Sequence, residues 1–333
     1  MMRRKILLFG LVATAMLIVV WLAQTHVSRP LSLVWKTRTG MHLWYVQFMP
    51  DSKSLIGGNP HQIVLWDAAT GQQVVVYPTM GPYELDLSPN GRYFASVVSD
   101  VLELWDLSSR RKLWSQCTKQ WVITKVAFSP DGRYVATCDA DRLTIKLWRV
   151  SDGKLFRVFW VKGLFDFAFS PKGKLLATAE EAKIGYIVRL WDLATKRCVG
   201  MLKCNHRAIG LRCSIGFSPD GQTLVVQEED GFRLWDVERK KSLGIIPSPV
   251  PVIFAWHPTG KFLAIADYLF ALKGYHWHGL RIVRTKDLQV VATRILDWRP
   301  CNTVIVAIDF SPDGKKLVVG CHDGTVWLFH FGL

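Results

Sequence analysis

His276 and His278 are the two imidazoles of this 333-residue chain best spaced to share a ligand, because alternate strand residues point to one face. They would supply half of a zinc site, yet no cysteine or acid stands at a spacing that completes it. The seven cysteines contain no C-x-x-C pair, and an odd number cannot all be bridged within one chain. Cys204 and Cys213 are near enough in sequence for a disulfide, whereas Cys138 and Cys321 sit where a small buried residue is wanted. The phosphate-binding G-x-x-x-x-G-K-[ST], the nucleophile elbow G-x-S-x-G, the zinc motif H-E-x-x-H and a helix-opening G-x-G-x-x-G are all missing. The sequence therefore predicts no enzyme, no metal and no cofactor. What remains is a set of residues suited to anchoring a partner. Tyr268, Phe270, Tyr275, Trp277 and His278 fall in one stretch, Trp298 and Arg299 in a second, and His206 and Arg207 in a third.

The elements that must carry these residues repeat along the chain. An apolar landmark (Phe48, Leu87, Phe128, Phe169, Phe217, Trp256 or Phe310) precedes a turn of the type Ser-Pro-Asp-Gly-Arg/Lys, and a strand reading Ile/Val/Phe-x-Leu-Trp-Asp follows. The landmarks lie 39, 41, 41, 48, 39 and 54 residues apart. That period, filled with short strands, predicts an all-β, seven-bladed β-propeller of four-stranded antiparallel blades over 31–333. In the third repeat the expected strands are Val122–Phe128, Arg133–Cys138, Thr144–Val150 and Leu155–Trp160, with Val122, Val126 and Phe128 on one face. The last repeat supplies three strands only, and residues 32–38 form a strand with no blade of its own.

The repeats resemble the WD-repeat family over nearly everything from residue 31 onward. Trp66-Asp67, Trp105-Asp106, Trp191-Asp192 and Trp235-Asp236 carry its dipeptide, and Trp148-Arg149 stands at the same place in the third repeat. The resemblance implies that these residues are framework, with each Trp wedged between blades. It also implies that residues 32–38 pair with the last repeat, which would close the ring and remove its open edges. The Gly-His that opens such repeats is missing, with only His42 and His206 near its position, while Asp100, Asp230 and Asp323 keep the acid before the third strand. The family's His-to-Asp network is thus expected to be largely absent. In such propellers the second-to-third and fourth-to-next-blade loops share one face. The insertions at Tyr268–Gly279, Leu296–Pro300, Glu180–Tyr186 and Asn205–Arg207 all fall in those loops.

Ahead of the repeats, Met-Met-Arg-Arg-Lys (1–5) is followed by 18 residues, Ile6–Ala23, without a charge. At about 1.5 Å each they reach ~27 Å, close to the ~30 Å hydrocarbon core. The expectation is a transmembrane signal anchor over 6–23 or a cleaved signal helix, then a linker over 24–30. The basic cluster before it predicts the propeller on the extracytoplasmic side of a single-pass membrane protein. The formal charge of +15 favours acidic partners, but no Lys/Arg block of five or six points to nucleic acid. The function expected is a non-catalytic interaction scaffold for a protein or peptide. A propeller enzyme or cofactor binder acting at the axis, and a basic surface for anionic lipid or nucleic acid, are the alternatives.

Overall fold

The computed structural model describes residues 31–40, 42–59, 61–77, 84–119, 123–139, 143–183, 185–204, 214–248, 251–272, 275–296 and 304–332, with the backbone alone for 139, 251–252, 267–272, 275–278 and 295. Its strands form seven four-stranded antiparallel sheets, and no helix occurs among the described residues.

Blade 3 shows why these residues fold this way. Its strands are Ile123–Phe128, Tyr134–Asp139, Thr144–Arg149 and Leu155–Trp160. At the first turn the Ser129 hydroxyl donates to the Asp131 carboxylate at 2.6 Å and accepts the Tyr134 N–H at 3.0 Å, while Gly132 takes a φ of 68°. The same brace recurs at Ser88 with Asn90, Ser218 with Asp220 and Ser311 with Asp313. The expected alternation in the first strand is corrected. A register shift between Ile123 and Lys125 inserts one residue, so that Ile123, Val126 and Phe128 are the buried set. Val122 lies outside the described residues.

Cores form between blades rather than within them. Each dipeptide Trp packs on the preceding blade: Trp66 against Val318 and Leu328, Trp105 against Ile56 and Ile63, Trp148 against Leu102 and Leu104, and Trp235 against Val188 and Leu190. Trp191, half-buried, packs against Leu147 and Phe159. The dipeptide acids cap the turn that follows. Asp67 accepts the Thr70 N–H at 2.8 Å, Asp106 that of Ser109 at 2.8 Å, Asp192 that of Thr195 at 2.6 Å and Asp236 that of Arg239 at 2.7 Å.

The ring closes as the unpaired strand requires. Leu31–Arg38 runs antiparallel to Thr325–Phe331 as the fourth strand of the last blade, with Leu31 opposite Phe331, Leu33 opposite Phe329 and Trp35 opposite Leu328. Val34 falls in a register shift between Leu33 and Trp35.

Two insertions are not loops. In blade 6 the second and third strands continue as one hairpin, Phe262–Leu272 with Tyr275–Arg284. In blade 4, Glu180 pairs with Ile187 and Glu181 with Tyr186, so only 182–185 turn the chain. Glu180 is buried against Arg189, and the buried Tyr186 hydroxyl donates to the Gln227 carbonyl. Local composition alone gives both segments the look of surface excursions. Cys204 is a buried free thiol, so no bridge joins it to Cys213, which lies outside the described residues. Residues 1–30, with the expected anchor over 6–23, also lie outside them. Among the described residues, no helix is long and apolar enough to cross a membrane.

Candidate interaction faces and axial channel

A four-stranded antiparallel meander places successive connections at opposite ends. The Ser-Pro-Asp-Gly turns and the third-to-fourth turns therefore make one face of the ring, here the turn face. The second-to-third turns and the links between blades make the other, the link face.

The blade 6 hairpin belongs to the link face. Its strands are 11 and 10 residues long, against 6 for their counterparts in blade 3. The register sets Tyr268 opposite His278, Phe270 opposite Trp277, and Leu272 opposite Tyr275, with a shift between Tyr268 and Phe270. Five of the sequence-predicted anchors are thus brought onto one two-stranded projection, while their side chains lie outside the described residues. Trp298 and Arg299, after the fourth strand of blade 6, and His206 and Arg207, after that of blade 4, also lie outside.

The link face carries anchors that sequence reasoning missed. Trp160, last in the outer strand of blade 3, is 77% exposed. It pairs with Thr144, and the neighbouring Val161 N–H donates to the Leu143 carbonyl at 2.9 Å, so exposed Leu143 stands beside it. A second apolar patch bridges blades 7 and 1. The His322 N–H donates to Val304 at 2.8 Å, the Leu43 N–H donates to His322 at 3.1 Å, and the rings of His42 and His322 lie 4.8 Å apart. Val304 and Trp44 are both exposed there. The available signal for Trp160 was its position: the equivalent strand ends of blades 2, 4 and 5 are Cys117, Lys203 and Pro247.

Polar groups do converge on the axis, on the inner strands. Asp309, Asp86, Asp166 and Lys125 have structural work there. Asp309 of blade 7 accepts the Phe48 N–H of blade 1 at 2.8 Å, and Asp86 of blade 2 accepts the Phe128 N–H of blade 3 at 2.7 Å. In blade 4, Asp166 accepts the Ile215 N–H of blade 5 at 2.9 Å and takes Lys125 of blade 3 at 2.6 Å. Burial pushes Asp309 up to about 7 and Asp86 up to about 6, although both still accept backbone N–H bonds. For Lys125, burial favours the neutral amine, but the Asp166 carboxylate outweighs it and the net shift is upward. No group of three or more His, Cys, Asp or Glu placed to hold a metal occurs among the described residues. The His-to-Asp network is replaced by other bonds. Asp323 pairs with Arg38 at 3.3 Å, and the Cys117 thiol donates to Asp100 at 3.2 Å.

Comparison with known proteins agrees with this architecture. The family profile for the WD domain, G-beta repeat, matches residues 111–149 and 296–330. Transcription initiation factor TFIID subunit 5 of Caenorhabditis elegans is 27% identical over 195 residues, covering 57% of this chain and 29% of that protein. WD repeat-containing protein AAC3 of Dictyostelium discoideum is 25% identical over 182 residues, covering 54% and 33%. The matching subunit of eukaryotic translation initiation factor 3 from Xenopus laevis is 22% identical over 304 residues, covering 83% and 42%. The chain spans between 29% and 42% of the length of these three relatives. WD40 repeats are thus matched in two stretches of the sequence, and the described strands are set in the seven four-stranded blades of a β-propeller.

Proposed function

We propose that this chain is a non-catalytic scaffold, tethered to a membrane through residues 6–23, whose link face holds a protein or peptide partner. The observation that carries the reading is the largely exposed Trp160 on the same face as the blade 6 hairpin. A large ring held on a rigid sheet edge loses little side-chain entropy on binding, which is why such residues serve as interface anchors. The relatives named as subunits of multiprotein factors support assembly as the role. The axial Asp309, Asp86 and Asp166 support it too, since these three are engaged with the backbone of a neighbouring blade. The basic amino terminus before an uncharged stretch favours an extracytoplasmic propeller.

The test is affinity capture with the full-length chain, comparing wild type with Trp160→Ala and with a variant whose blade 6 hairpin is shortened to the length of its blade 3 counterpart. The reading expects both variants to keep the wild-type melting temperature within about 2 °C and to lose the wild-type partner. Retention of that partner by both variants rejects it.

A further inference from the structure

The outer strand of a blade meets the third-to-fourth turn of the next, and four of these junctions follow a rule of size, with Val75 and Arg110 at the junction of blades 1 and 2 outside it. The outer-strand position opposite the Leu or Ile that precedes the dipeptide site is Trp35 in blade 7, Trp114 in blade 2, Arg157 in blade 3, Gly200 in blade 4 and Gly244 in blade 5. The turn residue of the following blade, always at positive φ, is respectively Gly71, Gly153, Lys196, Lys240 and Leu288. Large meets small. A Cβ on Gly71 would lie 3.2 Å from the Trp35 ring and one on Gly153 2.9 Å from Trp114. In the opposite sense, Cβ atoms on Gly200 and Gly244 would lie 2.7 Å from Lys240 and 2.4 Å from Leu288.

The junction of blades 3 and 4 breaks this rule. Both positions there hold long cations, Arg157 and Lys196, so neither seals the gap as a ring on glycine does. A groove of about 270 Å³, lined by Arg157, Leu193 and Ala194 among others, opens there on the turn face. One Arg157 N–H replaces the indole bond of the sealed junctions, donating to the Leu193 carbonyl at 2.7 Å where Trp35 donates to Ala68 and Trp114 to Val150. Neither Arg157 nor Lys196 makes an ion pair among the described residues. Tyr134 and Phe156 stack in the groove with ring centroids 4.5 Å apart, and the Arg157 guanidinium lies 5.1 Å from the Phe156 centroid. The one acid of the lining, Asp131, is taken by Arg133 at 2.6 Å.

We propose that this groove is a docking site for an acidic linear peptide of a partner protein, independent of the link face. A glutamate or aspartate of the peptide takes the remaining Arg157 N–H groups, with Lys196 adding charge, and a neighbouring apolar side chain lies on the Tyr134–Phe156 stack. The groove's size suits a side chain or two rather than a drug-sized molecule, and the chain's excess of 42 Lys and Arg over 27 Asp and Glu draws acidic segments toward it.

The test uses the full-length chain and a fluorescein-labelled pentapeptide in which one phenylalanine is flanked by two glutamates on each side, read by fluorescence anisotropy. The double variant Arg157→Trp with Lys196→Gly copies the sealed junctions and is expected to melt no lower than wild type. It should bind the peptide at least about tenfold more weakly, as should the wild type presented with a glutamine version of the peptide. Trp160→Ala, on the other face, should bind as wild type does. Absence of binding to wild type, equal binding by the sealed variant, or equal binding of the glutamine peptide overturns the proposal. So does tighter binding of a single-stranded RNA oligonucleotide that the sealed variant also loses.

Discussion

The Asp309 carboxylate accepts the Phe48 backbone N–H at 2.8 Å, joining the innermost strands of the last and first blades across the ring closure. Asp86 does the same between blades 2 and 3 at 2.7 Å. Burial raises their pKa values from 3.8 to about 7 and about 6, so the folded protein holds these protons more tightly than the unfolded chain. Their contribution to stability is therefore greatest below about pH 4 and is lost as pH rises through 6 to 7. His257, whose pKa burial lowers, works the other way, so the informative quantity is a difference between variants. The melting temperature of wild type minus that of Asp86→Asn/Asp309→Asn should fall by about 2 °C or more between pH 5 and pH 8. A difference independent of pH contradicts this.

Trp35 holds the outer side of the same closure. Its indole donates to the Ala68 carbonyl at 3.1 Å and its ring covers Gly71. Trp35→Ala should cost about 2 kcal/mol or more through lost packing. Trp35→Phe should cost about 1 kcal/mol through the lost hydrogen bond. Both are read by chemical denaturation. Deleting 31–38 should cost far more, since it bares the whole edge of Thr325–Phe331.

The dipeptide tryptophans differ in one testable respect. Trp148 donates to the Thr137 hydroxyl at 3.0 Å and Trp191 to the Thr178 hydroxyl at 2.8 Å. The equivalent residue in blade 5 is Val226, and the Trp235 indole N–H is buried without an acceptor among the described residues. Val226→Thr should therefore stabilise the protein by about 1 kcal/mol, and Thr137→Val should destabilise it by about the same or more. Equal and unfavourable effects of both would show that the hydroxyl has no role at this site.

Much of this was legible in the sequence because the repeat is local. Seven landmarks, the braced turns and the orphan strand at 32–38 fix blade number and closure, since each rests on turn chemistry or two-residue alternation within one unit. What was not legible depends on contacts between units. The shift between Ile123 and Lys125 reverses a parity that the sequence states plainly. Tyr186 and Glu180 read as loop residues; the neighbouring blade holds the Tyr186 hydroxyl through the Gln227 carbonyl, and Arg189 of the same blade pairs with Glu180. The fit of Trp35 to Gly71 becomes visible only when repeats are stacked, and so does its failure at Arg157 and Lys196. Of the expected anchors, five share one hairpin by their backbone positions, whereas Trp160 reads in sequence as an ordinary strand end.

Trp160 separates binding from folding. Its ring is 77% exposed, so Trp160→Ala should change stability by no more than about 0.5 kcal/mol. Partner affinity should fall by about tenfold or more, the behaviour of an interface anchor. A loss of stability equal to the loss of binding would assign the residue to the framework instead.

Lysines mark both faces of the ring, which makes crosslinking of the intact, partner-bound protein the most direct test of where recognition occurs. Lys119, Lys162 and Lys183 stand on the link face, and Lys53, Lys261 and Lys315 on the turn face, all exposed. Mass spectrometry should find partner crosslinks concentrated on the first three and lost in the hairpin-shortened variant. Crosslinks confined to Lys53, Lys261 and Lys315, or spread evenly around the ring, would contradict the account.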